Sequence, residues 1–271
     1  MDPIAFRLGP FAIRWYGLLI VTSVLACTYI ASWEAKRRGE NPEHIWNALL
    51  ICLVTGIIGA RLYHVFTVPP SSRLSTWYYL THPLEILALW QGGLGIYGAL
   101  AGALAGFYIY TRYSKLDFLH WVDISIIGAP LAQAIGRWGN FINQELYGFP
   151  TDLPWGIYIA PQNRLPGYEA FERFHPAFLY ESIWNLLVFG TLLYVTRRYG
   201  DRLLRGEVLG LYLILYPLGR FFVEMIRLDS PTIAGISIAQ VIAAISVLAS
   251  AGVMIYRRRV RAQTMEVRDD M

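Results

Sequence analysis

Charge is scarce in this chain. Only 15% of its 271 residues are Asp, Glu, Lys or Arg, where a soluble domain carries roughly a quarter. The shortfall excludes an ordinary water-soluble globule. With 55% hydrophobic residues and a mean hydropathy of +0.40, the composition points to lipid as the solvent. Lysine is scarcer still, being confined to Lys36 and Lys115. Neither lies in a late apolar run, which excludes a seven-helix photoreceptor built on a Schiff-base lysine. Cysteine is limited to Cys27 and Cys52, each inside an apolar run. That excludes a disulfide framework and a CxxC pair, and leaves two free thiols expected to be buried. The first residues, MDPIAFRLGPFAIRWYG, have no basic stretch ahead of an apolar core and no small-residue cleavage site. They are read as a retained segment and not as a signal peptide.

What is abundant is apolar sequence in blocks of the length that spans a bilayer, about 20 residues. The predicted spans are Tyr16 to Trp33, Ile45 to Phe66, Leu84 to Tyr110, Phe118 to Ala134, Ala177 to Val195, Val208 to Ile226 and Ile236 to Tyr256. Basic residues collect in alternate connections. Lys36, Arg37 and Arg38 follow the first span, and Arg112 and Lys115 the third. Arg197, Arg198, Arg202 and Arg205 follow the fifth, and Arg257, Arg258, Arg259 and Arg261 the seventh. The remaining connections hold far fewer, notably Arg73, Arg164 and Arg173. By the positive-inside rule the four clusters are cytoplasmic, the N-terminus is outside and the C-terminus inside. The expected fold class is therefore an all-α polytopic membrane protein of about seven helices. It is read as one transmembrane domain over 1–271. The longest connection, Gly136 to Pro176, is outside. Within it, 149–174 reads as a small irregular or β-containing cap. No internal repeat suggests a transporter built from inverted halves.

The third span is crowded with glycine. Gly98, Gly102 and Gly106 recur every four residues and suit close helix packing. Gly92, Gly93 and Gly95 are too dense for packing alone, so a bent or broken segment is expected there. Arginine inside a membrane costs about 2.5–3.5 kcal/mol on insertion scales, yet Arg14, Arg61, Arg137, Arg220 and Arg227 lie at or within span ends. Snorkelling to headgroups or pairing with a carboxylate would account for some of them.

Three constellations ask for more. Gly136 to Gly148, GRWGNFINQELYG, combines Arg137, Asn140, Asn143, Gln144 and Glu145 where the fourth span meets the outer surface. Polar groups at that depth must be satisfied by one another, by water or by a ligand. His175-Pro176-Ala177-Phe178-Leu179-Tyr180-Glu181 places His175 at the interface and Glu181 one to two turns into the fifth span. Arg220 and Glu224 are four apart and share a helix face, which Arg227 can join. A self-satisfied ion ladder is one reading. The other is an anion site whose arginines are held by a carboxylate, since a guanidinium donates two parallel hydrogen bonds to a phosphate. These groups, with Arg14-Trp15-Tyr16-Gly17, all lie toward the outer half of the bilayer. A conducting transporter or channel would spread polar residues to both sides, and a purely structural protein would leave the arginines without a partner charge. Basic groups at headgroup depth beside apolar helices suggest an anionic phospholipid as ligand.

GRWGNFINQELYG resembles the signature of the bacterial phosphatidylglycerol–prolipoprotein diacylglyceryl transferases. Arg14-Trp15-Tyr16-Gly17, Trp90-Gln91-Gly92-Gly93-Leu94, His175-Pro176-x-x-Leu179-Tyr180-Glu181 and Arg220-x-x-Val223-Glu224-x-x-Arg227 fit the same family, in order, over nearly the whole chain. The resemblance implies an enzyme of the bacterial inner membrane, multi-pass, with its active site toward the extracytoplasmic side. It would move the diacylglyceryl group of phosphatidylglycerol to the lipobox cysteine thiol of a prolipoprotein and release glycerol 1-phosphate. It implies no metal, no cofactor and no nucleic-acid partner, and a monomer. By motif position Arg137 and Arg220 handle phosphate, Glu145 and Glu224 orient them, and Asn140 and Tyr16 bond the headgroup or its ester region. Asn143, Gly148, His175, Glu181 and Arg227 complete the expected phosphatidylglycerol site. The family often has histidine in GGL-x-x-His-Gly, where this chain has Tyr97. A phenol ionises near pH 10 and would act as base only beside arginines. Tyr97 would otherwise position the lipid while Glu145, Glu181, His175 or water takes the proton.

Overall fold

The computed structural model describes residues 3–9, 11–68, 75–230, 232–233 and 236–269. Arg73, counted above among the outer basic residues, lies outside the described residues. In chain order the elements are β1 (Ile4–Leu8), β2 (Phe11–Arg14), α1 (Trp15–Arg37), α2 (Glu43–Phe66), α3 (Thr76–Thr81), α4 (Pro83–Ile86), α5 (Ile96–Tyr113), α6 (Phe118–Ser125) and α7 (Ala129–Asn143). There follow β3 (Ile157–Tyr158), β4 (Arg173–Phe174), α8 (Ala177–Tyr199), α9 (Glu207–Glu224), β5 (Thr232–Ile233), β6 (Ile236–Ser237) and α10 (Ile238–Asp269). Five helical segments are long and apolar enough to cross a membrane: Trp15–Arg37, Glu43–Phe66, Phe118–Asn143, Ala177–Arg202 and Ile238–Thr264. The chain is a mostly helical, polytopic membrane protein.

Two predicted spans take another form. Leu84–Tyr110 is not one helix. Its first part is the single turn α4 and a 3₁₀ turn at Leu89–Gln91, and only from Ile96 does α5 run on. Val208–Ile226 is helical as α9, but it carries Glu207, Arg220 and Glu224 and an internal Pro217. Pro217 has no N–H for the carbonyl of Leu213. The Ser246 hydroxyl of α10 donates to that oxygen instead, at 2.9 Å. The fourth span also differs. The helix does not stop at Ala134 but continues to Asn143, so the polar run Gly136–Asn143 is helical and not loop. It ends where Gln144 turns left-handed, with φ of 53°.

The residues group into two compact units, one of 1–31 with 122–271, the other of 32–121. In the first, α9 packs against α8 and α10, and α8 against α7. Ile127, Val188, Leu192 and Val208 form its buried centre. In lipid such a cluster is held by close packing, because leaving lipid brings no hydrophobic gain. Between α7 and α8 lies a small body of its own. β3 and β4 pair antiparallel, Pro150 bridges Phe174, and Tyr147, Ile159 and Phe174 form a buried cluster. The Tyr147 hydroxyl donates to the Asn163 carbonyl and accepts from the Leu165 amide, at 2.9 and 2.7 Å. Burial pushes that phenol above its ordinary range, so it stays a neutral donor.

The second unit is built on α2 against α5. A Cβ on Gly59 would strike the Gly98 carbonyl, one on Gly98 the Gly59 carbonyl, and one on Gly102 the Thr55 carbonyl. Glycine here permits backbone-to-backbone contact, as the four-residue spacing implied. Cys27 and Cys52 are free and half-buried, less enclosed than expected.

Candidate active site

In the first unit a chain of alternating charge links three helices. Arg137 on α7 pairs with Glu181 Oε2 on α8. Glu181 Oε1 accepts from Arg220 Nη1 on α9 at 2.5 Å. Arg220 Nη2 meets Glu224 Oε2 at 2.7 Å, and Arg227 Nη1 approaches the same oxygen at 3.6 Å. Arg227 also pairs with Asp229 at 2.8 Å. Ser237 donates to the other Glu224 oxygen at 2.8 Å. Each carboxylate is nearly buried, with side-chain exposures of 6% for Glu181 and 1% for Glu224, while Arg137 and Arg220 keep 20% and 18%. Buried charges of this kind persist only when paired. Glu181 Oε2 and Glu224 Oε2 face their guanidinium partners off the hydrogen-bonding line. No described bond uses the Nε–H of Arg137 or Arg220. Each guanidinium has five donors, so both retain capacity for an anion on their open side.

The amides of α7 form a second layer. Arg137 Nη1 donates to Asn140 Oδ1 at 3.4 Å. Asn140 and Asn143 donate to Glu145 Oε1 at 2.9 and 3.3 Å. Glu145 is exposed and its described bonds are to these amides, whereas the carboxylate on Arg137 is Glu181. Glu224 does hold Arg220 and Arg227. Tyr16 packs on α7 at Gly139, where a Cβ would come within 2.5 Å of the phenol ring. Gly148 donates to the His175 carbonyl at 2.9 Å and bridges Arg227. A Cβ there would meet the Ile226 carbonyl at 2.7 Å. His175 Nδ1 lies 3.1 Å from the Tyr180 hydroxyl. Arg137, Arg220, Glu181, Glu224, Arg227, Asn140, Asn143, Glu145, Gly148, His175 and Tyr16 thus all belong to the first unit.

Tyr97 belongs to the second unit. It is exposed, and its ring lies 5.9 Å from that of Tyr63. In the sequence Arg61 is legible only as a costly arginine within an apolar run. It is buried, and its guanidinium organises the break between α4 and α5. Nε donates to the Ile86 carbonyl at 2.8 Å, Nη1 to Gly92 and Gly93 at 2.7 and 3.2 Å, and Nη2 to Glu85 and Ala88 at 2.6 and 3.4 Å. Unwound carbonyls and a buried cation each need partners at membrane depth, and here they satisfy one another. Gly92 and Gly93, with φ of 81° and 73°, supply the left-handed backbone that turns those oxygens inward. The density of glycine at 92–95 was the available signal for this break. His64, one turn beyond Arg61, sits directly against Gly93 and was not singled out at all.

Comparison with known proteins agrees with the motifs. Residues 3–256 match the prolipoprotein diacylglyceryl transferase family. The chain is 41% identical to a phosphatidylglycerol–prolipoprotein diacylglyceryl transferase of Chloroflexus aggregans, covering 96% of this chain and 90% of that protein. It is 44% identical to the one of Symbiobacterium thermophilum, covering 90% and 88%. The Synechocystis relative is 40% identical, covering 93% and 88%. With the arginine–carboxylate network in place and the match running over nearly its whole length, the chain belongs to the prolipoprotein diacylglyceryl transferase family.

Proposed function

We propose that this protein transfers the diacylglyceryl group of phosphatidylglycerol to the lipobox cysteine of a prolipoprotein, releasing glycerol 1-phosphate. Its family membership and the names of its relatives support the reaction. The observation that carries the site is Glu181 shared by Arg137 and Arg220. Two partly open guanidiniums fixed by one carboxylate make a cradle for a phosphodiester, and the charge that develops on the leaving phosphate falls to them. In the reaction the thiol gives its proton to Glu145, Glu181, His175 or water, and its sulfur attacks the glyceryl methylene at its sp³ carbon. The C–O bond to phosphate breaks, and its electron pair leaves with glycerol 1-phosphate. No metal or cofactor is called for.

Glu224 and Glu181 hold the arginines in register. Glu145, through Asn140 and Asn143, shapes the amide layer that bonds the headgroup. Tyr16 bonds the headgroup or its ester region, and Tyr97 positions the lipid. Gly148, His175 and Arg227 close the headgroup site. The chain works as one transmembrane catalytic domain and as a monomer in the bacterial inner membrane. It has seven spans, the N-terminus outside and the C-terminus cytoplasmic. Residues 149–174 form the extracytoplasmic cap, and the site opens to that side. Basic residues in the four alternate connections support this orientation.

The test is mass spectrometry of a lipobox peptide incubated with purified protein and phosphatidylglycerol. A diacylglyceryl mass gain on the cysteine is expected, and Arg137→Ala lowers the rate by about 100-fold or more, the cost of a lost charge-stabilising donor. Absence of the mass gain overturns the reaction. Full activity in Arg137→Ala overturns the site.

A further inference from the structure

Glu181 stands near the start of α8, and Arg202 ends the 3₁₀ turn that follows that helix. At the rise of an α-helix the two lie about 30 Å apart, the thickness of a bilayer core. The far end of the first unit therefore meets the opposite leaflet from the arginine–carboxylate network. There Arg202, Leu204, Arg258, Arg261 and Ala262 line a cleft of about 320 Å³. Its walls are the connection after α8 and the C-terminal part of α10. Both belong to the ends of segments apolar enough to cross a membrane, Ala177–Arg202 and Ile238–Thr264. The cleft thus sits at headgroup depth.

One buried carboxylate fixes both walls. Glu207, with a side-chain exposure of 1%, accepts from Arg258 Nε at 2.6 Å and from Arg258 Nη2 at 2.9 Å. The same Oε2 accepts from the Leu204 amide at 2.9 Å. A bidentate pair with a buried carboxylate is costly to break, so Arg258 and Leu204 keep their places. The pairing uses two of the five N–H groups of Arg258. No described hydrogen bond or ion pair uses Arg202 or Arg261, and both are exposed. Three guanidiniums therefore line the cleft against the one carboxylate Glu207, an excess of two positive charges. The basic cluster after α1 is different, since the fully buried Glu34 takes up Arg37 and Arg38.

We propose that this cleft binds the phosphate of an anionic phospholipid in the leaflet opposite the candidate active site. Guanidiniums suit that group because their planar fork donates parallel hydrogen bonds to its oxygens. Basic pockets between helices at this depth attract anionic headgroups. A lipid fits better than a soluble anion, because Leu204 and Ala262 give the cleft an apolar wall and the helices that carry it lead into hydrocarbon. Glu207 is a positioning residue, holding Arg258 at the rim. The site is separate from the transfer reaction and does not depend on it.

The experiment is native mass spectrometry of the full-length protein in an uncharged detergent, titrated with dioleoyl phosphatidic acid. Arg202→Gln combined with Arg261→Gln is expected to raise the apparent Kd of the tightest-bound lipid by about tenfold or more, since each surface arginine adds its own attraction. Arg261→Gln alone raises it by about threefold or more. Arg112→Gln combined with Lys115→Gln, which removes the same charge from another connection, stays within about twofold of wild type. Dioleoyl phosphatidylcholine binds more weakly than phosphatidic acid, and millimolar inorganic phosphate does not displace the lipid. A Kd within about twofold of wild type in both cleft variants overturns the proposal. So does an equal loss in the Arg112 and Lys115 control, which marks charge without a site. Equal binding of phosphatidylcholine, or displacement by inorganic phosphate, overturns the assignment to an anionic lipid.

Discussion

Arg137 and Arg220 come from different helices, yet each takes one oxygen of Glu181. A carboxylate so shared fixes the spacing between two cations, and it does so within a nearly buried setting where the charge has no cheaper partner. Glu181→Gln keeps the shape and one acceptor oxygen but loses the charge and the second acceptor that tie the two guanidiniums together. Turnover is expected to drop about tenfold or more with stability lowered by about 1.5–3 kcal/mol, the range for hydrogen bonds to charged groups. Steady-state kinetics and thermal unfolding together check this, and an unchanged turnover would remove Glu181 from the positioning role. At this scale the motifs named the participants without naming the pairs. Arg220 with Glu224 was legible, because a four-residue spacing puts both on one helix face. Glu181 as partner of Arg137 was not, because it sits on another helix and only packing of α7 against α8 brings them together. Glu145 is five residues beyond Asn140, and its described bonds are to Asn140 and Asn143.

Among the elements, α2 and α5 show how small residues substitute for hydrophobic driving force in lipid. Gly59 and Gly98 each present a carbonyl where the other would carry a Cβ. Gly98→Leu must push rigid backbone and not a flexible side chain, so a cost of about 1–3 kcal/mol or more is expected from overpacking. Thermal unfolding of that variant in detergent reads it directly. A melting temperature equal to wild type would mean that the two helices do not meet through this face. The glycine periodicity made the packing legible, and the excess glycine at 92–95 made the break between α4 and α5 legible too. Nothing in the sequence announced that Arg61 would supply the donors for that break. Its partners are five backbone oxygens, and backbone carries no residue-specific signal. The donor from Ser246 to the carbonyl freed by Pro217 carries no sequence signal for the same reason.

For the whole molecule, orientation is the property with the most direct test. In a variant lacking Cys27 and Cys52, Ala170→Cys within the segment 149–174 is expected to react with an impermeant maleimide on intact cells. Gln263→Cys, beyond the last basic cluster, is expected to react only after lysis. The reverse pattern would invert the topology argued from the arginines. Composition alone determined the solvent of this protein, because a chain so poor in charge cannot cover itself in water. Runs of apolar residues and the side on which arginine collects determined where most of its helices lie and the expected direction of insertion, since both act along the chain before any packing occurs. Motif order determined the family. Tertiary structure decided what those local rules cannot reach: which carboxylate holds which arginine, and how an interrupted helix satisfies its carbonyls. Each of these depends on contacts between segments distant in sequence. The polar stretch Gly136–Gly148 is an example, for its chemistry was visible in sequence while its helix, its partner on α8 and its amide layer were set by packing.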